Sequence, residues 1–195
     1  MADPNEPANC ATSIQRILAA AQFAAEKHAG QKRKGTAGEP YVNHVIEVSA
    51  LIARSSDVLD TNLIIAGLLH DTIEDTGVTA QELEQRFGRD VASLVLEVTD
   101  DKSLPKQTRK ALQVQNAHKK SQRAQVIKLA DKTSNLRSLL VSPPADWSVE
   151  RKREYFDWAK QVVDGLNAPN RALKDEFDRT YAQLESIRTP DPVQA

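Results

Sequence analysis

The chain has 195 residues, 40% hydrophobic and 27% charged, with a formal net charge of −1. That is enough for one domain with a substantial core, and the neutral balance excludes a global electrostatic pull toward nucleic acid or a membrane surface. The single cysteine, Cys10, excludes a disulfide framework and a thiolate-rich metal site, and the opening MADPNEPANC lacks the basic and apolar regions of a signal peptide.

No run of about 18 apolar residues predicts a membrane span, and a reducing cytoplasm is expected. The hydrophobic periodicity is helical almost throughout. Residues 1–11 are expected to be a disordered N-terminus. Ile14, Ile17, Leu18, Ala21 and Ala25 then form one stripe of a helix over 12–29, followed by the glycine-rich basic loop GQKRKGTAGEP. A second helix is expected from Asn43 as N-cap through Val45, Val48 and Ile52. A third spans about 60–75 and is stopped by Gly77. Thr79 and Glu82 read as a capping box for a short helix to Phe87, and Val91, Leu94, Val95 and Val98 repeat at helical spacing after it. Beyond TDDKSLPK come a charged, exposed helix over 106–118, a more buried one over 122–141, and, after SPPADW, two more over 148–166 and 169–187. The tail 188–195 is expected to be flexible. With no strand alternation and no repeat, the expectation is one all-α domain over 12–187, of about eight to ten helices.

One stretch departs from ordinary helix chemistry. GLLHDTIEDTG (67–77) gathers His70, Asp71, Glu74 and Asp75 where an apolar helix approaches its end. Carboxylates are unfavourable at a helix C-terminus, where the backbone already carries partial negative charge. Crowded at the rim of a core, they must be paired or coordinated. Imidazole and carboxylate donors together suit a divalent ion such as Mn, Fe or Zn. Two further candidates lie far away in sequence. His44 follows YVN, and Asp131 sits where VIKLADKTSNLRSLL passes from apolar to polar, with Asn135 one turn on. Taken alone, each has an ordinary reading: a satisfied half-buried histidine, and a carboxylate paired with Lys128, Lys132 or Arg137.

The ordered set YVNH, LLHDTIEDT and KLADKTSNLR resembles the HD-type hydrolase domain of RelA/SpoT homologues. VTDDKSLPKQTRK, LQVQNAHKKS and WSVERKREYFDWAKQVVDGL resemble their small alarmone-hydrolase, Mesh-type branch. The resemblance covers roughly residues 15–185. It implies an HD-type metallophosphohydrolase that removes the 3′-pyrophosphate from ppGpp or pppGpp, leaving GDP or GTP. It places metal ligands at His44, His70, Asp71 and Asp131, around one Mn²⁺, with Fe or Zn as alternatives. Glu74 and Asp75 match the family's catalytic pair. Arg33 and Lys34 correspond to residues over the base and near the ligand. Asn135, Lys106, Arg151 and Tyr155 fall in ligand-contacting segments, while Trp147 and Trp158 are assigned to the core. Val45 stands where many relatives have proline, and Ser134 where relatives often have an aromatic residue or histidine. The chain ends where the small branch ends, so no synthetase domain is expected. The resemblance also implies a homo-oligomer.

Three other functions compete. The same domain can act on adenosine analogues such as (p)ppApp, or serve as a catalytically inactive nucleotide-binding regulator. A helical nucleic-acid module using QKRKG and KQTRKALQVQNAHKK is opposed by the neutral charge and the acidic cluster.

Overall fold

Helical spacing becomes ten α-helices among the described residues of a computed structural model, which covers 6–55, 58–167 and 170–186. They are α1 (Glu6–Lys27), α2 (Val42–Arg54), α3 (Thr61–Leu69), α4 (Thr72–Thr76), α5 (Ala80–Phe87), α6 (Arg89–Val98), α7 (Lys106–Asn116), α8 (Gln122–Val141), α9 (Val149–Asp164) and α10 (Arg171–Ala182). Short 3-10 turns follow α7 and α10. Among the described residues, extended pairing is limited to one isolated bridge, Lys32 with Pro40.

α3 is apolar all round because it is covered all round. Every residue from Leu63 to Leu69 is buried, and α1, α2, α6 and α8 pack against it. Val45 and Leu51 of α2, Ile65 and Leu69 of α3, Ile127, Leu129 and Leu136 of α8, Phe156 of α9 and Phe177 of α10 fill the centre. α7 has no buried residue, as its charged sequence predicts.

Four boundaries differ from expectation. α1 reaches back to Glu6, into the stretch expected to be loose; a proline at position 7 needs no N–H partner in a first turn. Asn43 is not an N-cap. α2 starts at Val42 after a turn from Pro40, in which the Asn43 N–H donates to Pro40 O (3.1 Å) and the His44 N–H to Tyr41 O (2.9 Å). Thr79 caps α5 by accepting from the Glu82 N–H at 3.1 Å, but Glu82 turns to Lys27 (3.2 Å) instead of closing a box. The expected single helix over 60–75 breaks at His70-Asp71. Residues 1–5 and the expected tail 188–195 lie outside the described residues.

The loop between α1 and α2 is pinned to the end of α8. The Ala37 N–H donates to Ser142 Oγ (2.8 Å) and the Thr36 N–H to Pro143 O (3.2 Å). Gly35 permits this approach: a Cβ there would lie 2.2 Å from the Ser142 carbonyl oxygen. The loop's cations are thereby held against α8, whose middle carries Asp131.

Candidate metal centre and nucleotide cleft

His44 comes from the first turns of α2, His70 and Asp71 from the α3–α4 break, and Asp131 from the middle of α8. Their donor atoms converge. His44 Nε2 lies 3.4 Å from Asp131 Oδ1 and 3.7 Å from Asp71 Oδ2, and His70 Nε2 lies 3.0 Å from Asp71 Oδ2 and 3.9 Å from Asp131 Oδ1. The donors of His44, His70 and Asp131 all fall within 4.8 Å of one another; the contacts to Asp71 add a fourth. His70 Nδ1 donates to Gly67 O at 2.9 Å, while its buried Nε2, although near Asp71, makes no aligned hydrogen bond. An orphaned imidazole nitrogen facing two carboxylate oxygens, with a second imidazole opposite, fits a divalent cation with nitrogen and oxygen ligands.

The break after α3 makes this geometry. Thr72 Oγ1 closes the helix end by donating to Leu69 O at 2.7 Å. Asp71 takes φ −100° and ψ −2°, which turns it away from an α-helical register. Glu74 and Asp75 then lie in the first turn of α4 rather than at the C-terminus of a long helix, so the unfavourable end charge expected from sequence is not what makes the cluster unusual.

The charges balance locally. Burial depresses His44, outweighing the pull of Asp131. Burial also opposes charge on His70, but the Asp71 carboxylate overrides it and lifts the imidazole to about 9. Against burial, His70 holds Asp71 below the usual carboxylate range, and Lys132, ahead of His44, does the same for Asp131. Lys132 donates to Asp131 Oδ2 at 2.8 Å and Asn135 to Asp131 Oδ1 at 2.5 Å. Asp131 thus pairs with Lys132 through Oδ2 while its Oδ1 faces His44 and His70. Tyr41 donates to Asp71 Oδ2 at 2.6 Å.

Glu74 and Asp75 sit beside this cluster under cations from the α6–α7 segment. Glu74 Oε2 accepts from the Asp100 N–H at 3.3 Å and its Oε1 lies 3.4 Å from Arg109 Nη1. Lys102 donates to Asp75 Oδ1. Burial, followed by the Asp71 charge, raises the Glu74 carboxyl.

Adjoining the cluster is a cleft of about 270 Å³ whose lining includes Arg33, Lys34, Lys106, Asn135, Trp147 and Tyr155. Tyr41 and Asn135 belong both to its wall and to the hydrogen bonds on Asp71 and Asp131, so cleft and cluster are continuous. Arg33 donates to Asn135 Oδ1 at 3.0 Å. Desolvation and then the nearby charges of Lys34, Arg151 and Arg109 push the Lys106 ammonium down. Arg151 stands at the rim, its guanidinium 4.5 Å from the Trp147 ring, with Asp146 at 3.7 Å. Trp147 both packs against the core and lines the cleft. Trp158 is packed inward, with Lys110 at 4.4 Å and Lys132 at 4.5 Å over its ring. Sequence reading also missed Tyr41, Lys102 and Arg109. Tyr41 lay inside the YVNH stretch, but only the fold brings it to Asp71.

Among known proteins, the chain matches the HD domain family over residues 20–157. It is 48% identical over 168 residues to the guanosine-3′,5′-bis(diphosphate) 3′-pyrophosphohydrolase MESH1 of Drosophila melanogaster, covering 86% of this chain and 94% of that protein. The Homo sapiens protein of the same name gives the same identity and coverage. A solved structure described as a metazoan ortholog of SpoT that hydrolyses ppGpp superposes with a TM-score of 0.82 at 48% identity, covering 86% of this chain and 94% of that one.

Proposed function

We infer that this chain, which belongs to the HD domain family and to the family of MESH1 pyrophosphohydrolases, hydrolyses the alarmones ppGpp and pppGpp. Water attacks the phosphorus bonded to O3′, the O3′–P bond breaks, and GDP or GTP leaves with pyrophosphate. The observation that carries this reading is the convergence of His44, His70, Asp71 and Asp131, from three separate parts of the chain, at the end of a cationic cleft.

His44, His70, Asp71 and Asp131 are the residues that would hold one divalent ion, and a ligand set without thiolate favours Mn²⁺ over softer-site ions. Such an ion lowers the pKa of a water and polarises a phosphoryl oxygen. The remaining work falls to side chains. Glu74, its carboxyl raised by burial, moves a proton between the attacking water and the departing O3′. Asp75, tied to Lys102, orients the water. Arg33 offers a guanidinium plane to the guanine, and Lys34 and Lys106, with Arg151 at the rim, meet the phosphates. Asn135 and Tyr155 line the path between base and metal. No helix among the described residues is long and apolar enough to cross a membrane. A cytoplasmic location and a homo-oligomeric state complete the proposal, the latter read by sedimentation.

The test is incubation with ppGpp, pppGpp and the adenosine analogues in Mn²⁺, with product identification, with and without chelator, beside Asp71→Ala. GDP and pyrophosphate from ppGpp, lost in both the chelated and Asp71→Ala samples, is the expected result. Turnover confined to the adenine compounds would move the assignment to them. No turnover of any nucleotide, with binding retained, would make the chain a regulator.

A further inference from the structure

The back of the His44 ring is as constrained as its front. His44 Nδ1 points away from the acidic cluster and lies 2.9 Å from Ser134 Oγ. Ser134 Oγ lies 2.7 Å from Glu47 Oε2, and Glu47 Oε1 accepts from Arg137 Nη1 at 3.1 Å. Arg137 in turn holds Glu176 of α10. Ser134 is fully buried and His44 is 2% exposed, so no bulk water substitutes for these partners.

The hydrogens along this line are determined by chemistry. A carboxylate can only accept, and a hydroxyl has one hydrogen to give. Ser134 gives its hydrogen to Glu47, so its oxygen can only accept from His44, and His44 Nδ1 must carry a hydrogen. A neutral His44 then has its lone pair on Nε2, the nitrogen 3.4 Å from Asp131 Oδ1 and 3.7 Å from Asp71 Oδ2. The opposite tautomer would leave two acceptors facing each other at Nδ1 and aim an N–H at the place where a cation belongs.

We propose that Ser134 and Glu47 are positioning residues: a hydrogen-bonded relay from α8 to α2 that selects the Nδ1–H tautomer of His44, fixes its ring, and strengthens Nε2 as a donor to a divalent ion. This rests on the metal reading above. His70 reaches the same tautomer through a backbone carbonyl, Gly67 O, which no side-chain substitution can remove. His44 depends on side chains alone, so its relay can be cut without touching a ligand.

The experiment titrates metal-free protein with Mn²⁺ in a calorimeter, for wild type, Ser134→Ala, Glu47→Gln and the double variant. Losing such a partner typically weakens metal binding about 10–100-fold, and that is expected for Ser134→Ala. Glu47→Gln keeps an acceptor for the serine and should lose less. The double variant should bind no worse than Ser134→Ala, because the relay is already cut. Long-range ¹H–¹⁵N spectra of the metal-free wild type should show His44 as the Nδ1–H tautomer; this reading decides the matter even if Ser134→Ala fails to fold. An Nε2–H tautomer in wild type, or wild-type Mn²⁺ affinity in folded Ser134→Ala, would reject the relay alone. A wild type that takes up no Mn²⁺ would reject the metal reading and the relay with it.

Discussion

Tyr41 shows how much one side chain outside the ligand set can matter. Its hydroxyl donates to Asp71 Oδ2, the oxygen nearest His70. Its ring is wedged between His28, with centroids 5.0 Å apart, and His44, at 5.4 Å. Burial and the adjacent Asp71 charge raise the phenol, so it remains a donor across the working pH range. Tyr41→Phe keeps the wedge and removes the donor. We expect it to lower ppGpp turnover or Mn²⁺ affinity about 10–100-fold with little change in helix content by circular dichroism. Wild-type kinetics in that variant would show that Asp71 needs no such support. The six residues of the acidic cluster and its distant partners were legible as chemical types in the sequence. Tyr41 was not, because nothing in local spacing marks a tyrosine as the partner of a residue 30 positions on. Ser134 stood out only as a departure; its bond to His44 spans 90 positions.

Among elements, the ends of helices carry the organisation. Arg123, in the first turn of α8, reaches Asp90 of α6 with Nη1 and Nη2 at 2.8 and 2.9 Å, and Asp60 with Nε at 2.8 Å. Asp60 in turn caps α3 through the Leu63 N–H at 3.0 Å. One guanidinium thus ties the starts of three helices, two of them carrying an acid where the helix dipole favours it. The hydrogen bond from Arg123 holds Asp90 below the usual carboxylate range. The sign follows: this contribution is present above the unfolded carboxyl value of about 4, and is lost as pH falls through the lower folded value. Asp90→Asn should therefore lower the unfolding free energy measured by urea at pH 6 by about 0.5–1 kcal/mol, given the partial exposure of the pair. The gap should close toward pH 3 and shrink with salt. A gap independent of pH would assign the effect to something other than the charge. Helix existence was readable from periodicity for nearly every element here, whereas the α3–α4 break was not. Leu63 to Leu69 and Thr72 to Thr76 form one plausible helical run, and the break between them shows only in the fold, where Thr72 Oγ1 closes the end of α3 on Leu69 O.

For the whole molecule, the proposed ion would join α2, the α3–α4 break and α8, which also meet through apolar packing and, between α2 and α8, through the Ser134–Glu47–Arg137 bonds. Four polar groups crowd there, and Lys132 pairs with Asp131. Binding to the folded state alone stabilises by about 2.7 kcal/mol at a hundredfold excess over Kd, or roughly 5–10 °C in a chain of this size. Differential scanning calorimetry should show a Mn²⁺-dependent rise in Tm of that order, reversed by chelator and absent in Asp131→Ala. An unchanged Tm would mean that the ion does not bridge these helices. Helical class and the inventory of chemistry can be read from residue order, since periodicity and residue type are local properties; the face a helix buries cannot always be, for Ile14 and Leu18 of the expected first stripe are exposed while Ala20, Phe23 and Ala24 are buried. Only the fold sets which oxygen of Asp131 faces the cluster, which nitrogen of His44 faces Ser134, and that Trp147 reaches the cleft. Those choices depend on hydrogen-bond partners and packing neighbours far apart in the chain, and no local pattern encodes the direction in which a buried polar atom must point.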